Sequence, residues 1–158
     1  MILSVHSITG AVLATNSGSV GAAIVLGLTS HYFLDSIPHV EYKIENITHG
    51  DFKSAGKEFV KIFIDLSIGL LTILYLIQNK NSSEILLALT GAFFAILPDG
   101  LAFLNYCIKN KERNIFTKAL NKHSEIHKKI HSVVTNKIIT ISSQAIIVAI
   151  LIFLLLKK

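Results

Sequence analysis

Residues 138–156, IITISSQAIIVAILIFLLL, contain no charged side chain. An apolar run of this length is what a bilayer crossing requires, roughly 20 residues to cover about 30 Å of hydrocarbon. Residues 85–108 (ILLALTGAFFAILPDGLAFLNYCI) also qualify, interrupted only by Pro98-Asp99, and residues 59–78 (FVKIFIDLSIGLLTILYLIQ) qualify despite Lys61 and Asp65. The first 37 residues hold two more apolar stretches on either side of Asn16-Ser17-Gly18-Ser19, a composition that signals a turn. The first of these, residues 2–15, is short for a crossing. It reads as a thin span or a re-entrant helix, which is tolerated at membrane depth where protein covers it. The expected fold is all-α: a multi-pass membrane helical bundle of about five apolar helices plus an amphipathic cytoplasmic helix near 113–135, with residues 1–158 forming one integral membrane domain.

Composition agrees. Charged residues make up 16% of the chain, against about 25% in soluble domains. The net charge of +5 does not indicate nucleic acid, because the lysines lie between apolar runs rather than among exposed aromatics on a polar domain. That placement suits loops beside an anionic membrane surface. One cysteine, Cys107, excludes an internal disulfide and any Cys-pair zinc site. The N-terminus lacks a basic leader region and has a histidine in its apolar stretch, so it reads as retained rather than as a signal peptide.

Basic residues set the orientation. With alternating helices, the N-terminus and the 38–58 and 109–137 loops share one side. Counting Lys61 with its nearer end, that side holds twelve of the fifteen basic residues, and the other holds Lys80, Lys157 and Lys158. The bias places the N-terminus and both long loops in the cytoplasm and the C-terminus outside it, in the plasma (inner) membrane.

The polar residues then collect near one face. His6 lies toward the cytoplasmic end of the first helix, His31 and Asp35 toward that of the second, Asp65 early in the third, and Asp99 late in the fourth. His123, His127 and His131 follow in the amphipathic segment. Ionisable groups at membrane depth are costly and usually face a bundle interior, where they carry function. Small residues stand at four-residue steps from them: His6, Gly10, Ala14; Ala23, Gly27, His31, Asp35; Asp65, Gly69; Gly91, Ala95, Asp99. Such steps share a helix face, and small residues let membrane helices approach closely. An antiparallel hairpin of the first two helices would set Ala14 by Ala23, Gly10 by Gly27 and His6 by His31.

Imidazole and carboxylate donors together suit a divalent metal, zinc foremost, with manganese or iron also compatible. The pairs His31-x3-Asp35 and His127-x3-His131 each present two donors on one helical face. His123 and His131 stand about 12 Å apart along a helix, so all three histidines cannot bind one ion. The candidate ligands are therefore His6, His31, Asp35, Asp99, His127 and His131, a number that leaves room for two ions. Asp65 and Asp99 are the candidate catalytic carboxylates.

Each feature also has a plainer reading. A lone histidine near a span end is often interfacial, and His31 with Asp35 can be an ion pair. Asp65 can pair with Lys61 one turn earlier, Asp99 can begin a new helical segment as its N-cap, and HSEIHKKIH can bind anionic lipid. His39 and His49 are weaker candidates because they lie in a loop.

At GLTSHYFLDSIPH and AILPDG the chain resembles the bacterial membrane-bound metal-dependent hydrolases. That family combines an early histidine before a small-residue helix, a Leu-Pro-Asp element and a Gly-x-x-Ser-His-x-x-x-Asp helix. The matching positions are His6, Leu97-Pro98-Asp99, and Gly27 through Ser30-His31 to Asp35. The last two elements occur here in reverse order, and the family's Arg-Gly-x-Thr-His-Ser element is absent. The resemblance implies a metal-dependent hydrolase with its His/Asp site at the cytoplasmic interface, acting on a lipid-like or phosphoester small-molecule substrate, with membrane lipid as its surroundings and no nucleic acid. The alternative is a metal-binding transport or sensing protein without catalysis, which would continue polar groups to the opposite face. The outer halves of the helices offer little beyond Thr72, Tyr75 and Gln144.

Overall fold

A computed structural model describes residues 2–39, 41–108 and 115–130, with Ser142, residues 144–147 and 149–150, and Phe153. The described residues form α1 (Leu3–Ala14), α2 (Val20–Ser36), α3 (Glu45–Thr48), α4 (Gly56–Ile77), α5 (Ser82–Cys107) and the amphipathic α6 (Ile115–Ile130). Among them the chain is all-α, as expected. Of the five apolar helices expected, two among the described residues, α4 and α5, are long and apolar enough to cross a membrane. Their 22 and 26 residues extend about 33 and 39 Å at 1.5 Å per residue. Most of the expected fifth apolar helix, 138–156, lies outside the described residues, as does His131.

The shortest apolar helix is the most enclosed. Nine of the 12 residues of α1 are buried, because α2, α4 and α5 all pack against it. At about 18 Å it is shorter than the ~30 Å hydrocarbon core of a bilayer. Two of its buried hydroxyls turn back on their own helix, Thr9 Oγ1 donating to the Val5 carbonyl at 2.7 Å and Ser7 Oγ to the Ser4 carbonyl at 3.0 Å. By contrast α4 buries only five of its 22 residues and turns Phe63, Leu71 and Tyr75 outward, each about two-thirds exposed or more.

Close approach depends on glycine. A Cβ at Gly10 would overlap the Gly91 carbonyl and Ala95 Cβ, and one at Gly27 would lie 2.6 Å from the same Gly91 oxygen. Gly10 and Gly27 therefore do not close chiefly on each other, as the hairpin reading expects. Both close on α5, which inserts Gly91 and Ala95 between them. The other two expected neighbours do meet: Ala14 and Ala23 share a buried cluster with Leu87, and the His6 and His31 rings stack at 4.3 Å. The α1–α2 turn uses Gly18 at φ 75°, and Ser19 caps α2 by accepting from the Ala22 amide at 3.2 Å.

Candidate metal centre

The site is built where α2, α5 and α6 converge on the end of α1. His31 and Asp35 are one turn apart on α2 and essentially unexposed. Asp99 is one turn beyond Ala95, the small residue against which α1 and α2 close. Helix α5 runs unbroken through Pro98, so Asp99 caps no new helical segment. Thr117, Leu120 and Ser124 are buried on one stripe of α6, and His127 continues that stripe three residues on.

One donor atom from each of His31, Asp35, Asp99 and His127 lies within 4.8 Å of the others. His127 Nε2 is the hub: His31 Nε2 stands 3.0 Å away, Asp35 Oδ2 3.1 Å and Asp99 Oδ1 3.4 Å. His31 Nε2 is in turn 3.3 Å from Asp35 Oδ2. The proton inventory follows from the partners. His31 Nδ1 lies 2.8 Å from the Ala95 carbonyl oxygen, which can only accept, so Nδ1 carries hydrogen and the lone pair of the neutral ring sits on Nε2. A backbone carbonyl holding the far nitrogen is also the usual support of a metal-binding histidine. Three acceptors thus surround His127 Nε2, which has a single proton to share among them.

That proton is firmly held. Burial disfavours charge on His127, but its hydrogen bonds to Asp35 and Asp99, together with their negative charge, outweigh burial and push its pKa up to about 9. His123, one turn earlier, is driven down from the usual histidine value by burial and by the neighbouring His127 and His31. Its Nε2 lies 3.2 Å from Tyr32 Oη, which ties α6 to α2 beside the cluster.

The donor set fits a divalent ion. Bonds of ~2.0–2.2 Å in a tetrahedron put neighbouring donors about 3.3–3.6 Å apart; the three separations from His127 and the one between His31 and Asp35 are 3.0–3.4 Å, and all four donors lie within 4.8 Å of one another. Two imidazoles and two carboxylates are compatible with zinc, manganese or iron alike.

The remaining candidates separate into other tasks. His6 stands behind the cluster: its Nε2–H donates to Asp35 Oδ1 at 3.1 Å while the other Asp35 oxygen faces His31 and His127. Asp65 is placed elsewhere. Its Oδ2 accepts from the Leu3 amide at 2.7 Å and its Oδ1 from the Ser4 amide at 3.2 Å, so it caps α1 from outside where Ile2 has no capping group. Tyr42 Oη donates to the same carboxylate at 3.3 Å, and burial and that negative charge raise its pKa. His39 is fully buried and joins Asp35 and Glu41 in a second group of donors within 4.8 Å. The four-residue step from Gly27 through His31 and Asp35 reaches His39, a signal masked by the intervening Pro38. Nothing in the sequence pattern marks Glu41.

A cavity of about 630 Å³ adjoins the cluster. Asp99, His127 and Glu41 lie on its wall, together with Phe59, Ile62 and Leu66 of α4 and Ile96, Phe103 and Tyr106 of α5. Its size is within the ~300–1,000 Å³ typical of ligand pockets. Comparison of the chain with protein-family models, curated proteins and solved structures finds no match.

Proposed function

We propose that this chain is a membrane-embedded, metal-dependent hydrolase with its site at the cytoplasmic interface, acting on a lipid-like phosphoester or ester. The observation that carries the reading is the convergence of two imidazole and two carboxylate donor atoms, from His31, Asp35, Asp99 and His127, all within 4.8 Å of one another. His31, Asp35, Asp99 and His127 would hold the ion. When bound, it supplies Lewis acidity, polarising a scissile carbonyl or phosphoryl group and making water nucleophilic near neutral pH. His6 fixes the Asp35 carboxylate, and the Ala95 carbonyl fixes the His31 ring, so both donors are held in place before an ion arrives. Asp99, a quarter exposed and on the cavity wall, is the donor that water in the cavity can reach; yielding its place to water would open the position a hydrolytic ion needs and free this carboxylate to accept that water's proton.

Substrate class follows from the cavity. An apolar wall shared by α4 and α5, ending at His127 and Asp99, suits an acyl chain with its ester or phosphoester at the metal. The likeness of GLTSHYFLDSIPH and AILPDG to the membrane-bound metal-dependent hydrolases points the same way. The outward apolar residues of α4 and the excess of basic residues in the 38–58 and 109–137 loops support an inner-membrane location with a cytoplasmic N-terminus.

The test is metal analysis of the protein purified in detergent, beside His31→Ala and Asp35→Ala, followed by assay on short-chain and long-chain phospholipid and ester probes. Bound metal in the wild type, lost in both variants, with hydrolysis that prefers acylated probes, is the expected result. A wild type free of metal, or variants that keep it, would sink the proposal. Metal binding without turnover of any probe would transfer the chain to the transport or sensing class.

A further inference from the structure

Beyond the end of α2 the chain sets a second histidine in full burial. His39 Nδ1 lies 2.7 Å from the Ile37 carbonyl oxygen, so Nδ1 carries the hydrogen and the lone pair of the neutral ring sits on Nε2. This is the state in which Ala95 holds His31. His39 Nε2 lies 3.4 Å from Glu41 Oε1, and donor atoms of Asp35, His39 and Glu41 fall within 4.8 Å of one another. The 3.4 Å between His39 Nε2 and Glu41 Oε1 is close to the ~3.3–3.6 Å edge of a tetrahedral site.

Asp35 belongs to both donor groups. A carboxylate has two oxygens, and in two-metal hydrolytic sites shared donors hold ions about 3.5–4 Å apart. Glu41 also lies on the wall of the same cavity as Asp99 and His127, so both groups border one apolar chamber.

We propose that a second divalent cation binds at Asp35, His39 and Glu41, forming with the first site a pair of ions bridged by Asp35. The proposal rests on the metal reading of His31, Asp35, Asp99 and His127. It also narrows the substrate. Three protein donors leave coordination positions open, and two ions side by side match the two oxygens of a phosphoester better than the single carbonyl of a carboxylic ester. The preferred substrate is then an acylated phosphoester.

The deciding measurement is the metal-to-protein ratio after equilibration with Zn2+ and removal of loose ions, for the wild type, His39→Ala, Glu41→Gln and His31→Ala. Glu41→Gln changes a side chain that is about one-third exposed, so it guards against misfolding of the His39 variant. Two ions per wild-type chain, falling to one in both His39→Ala and Glu41→Gln, is the expected result. Loaded with Mn2+, the wild type should give the electron paramagnetic resonance spectrum of an exchange-coupled pair, and the two variants that of an isolated ion. One ion in the wild type, retained by His39→Ala and lost by His31→Ala, would overturn the second site and leave the first standing, with His39 and Glu41 a plain ion pair. Two ions that persist in both His39→Ala and Glu41→Gln would also overturn it. No ion in the wild type would overturn both readings.

Discussion

Metal binding should be strongly pH-dependent because the ion must displace a proton the fold holds tightly. In the metal-free protein His127 keeps its proton up to about pH 9, since the hydrogen bonds to Asp35 and Asp99 outweigh the burial that opposes charge. An ion requires the bare Nε2. At pH 7, two units below that pKa, only about one molecule in a hundred has it, so apparent affinity should be ~100-fold below its plateau. Affinity should climb about tenfold per pH unit from pH 6.5 and level off near pH 9, with about one proton from His127 released per ion at pH 7. The stability linkage has the opposite sign. A raised histidine pKa stabilises the metal-free fold fully below the usual value of 6.5 and loses that effect as pH rises through about 9. The increase in unfolding temperature on adding Zn2+ should therefore grow across this window. Calorimetric titration in buffers of different ionisation enthalpy measures both affinity and proton release. Affinity that is flat between pH 6.5 and 8.5, or binding without proton release, would refute the placement of the ion at His127.

Three further outcomes are expected. Gly91→Ala places a methyl group against Ala14 and the Gly10 backbone, and should lower stability by about 1–3 kcal/mol while weakening metal retention. Gly21→Ala, which meets nothing within 4 Å, should be neutral or slightly stabilising, and equal melting temperatures for the two variants would contradict the packing at α5. Asp65→Ala removes the acceptor of two α1 amides and should cost about 1–3 kcal/mol with the metal content unchanged. Lost hydrolysis at full stability would instead return Asp65 to the catalytic role that its sequence position suggests. A topology reporter fused after Lys158 should read as extracytoplasmic, and a cytoplasmic signal would remove one crossing from the proposed arrangement.

Much of the framework was legible as pattern. Unbroken apolar runs identify helices because a backbone out of water must satisfy its own hydrogen bonds. Steps of four residues identify which side chains share a helix face, hence His31 with Asp35 and Gly91 with Ala95 and Asp99. Reading those faces as an α1–α2 hairpin also set His6 beside His31. Relations between helices were harder to read. No spacing rule states that α5 enters between Gly10 and Gly27, that α6 brings His127 onto both carboxylates, or that His6 lies behind Asp35.

The sequence by itself determined the all-α character of the described residues and the short set of histidines and aspartates from which a site could be drawn. Tertiary structure decided which atoms meet. It set the Ala95 carbonyl against His31 Nδ1, turned Asp65 to the amides of α1, and buried His39 beyond a proline that ends its helix. The physical reason is reach. Covalent geometry and helical periodicity act over a turn or two, whereas a convergence of lone pairs depends on where separate helices come to rest, and the glycines at their crossings set that distance.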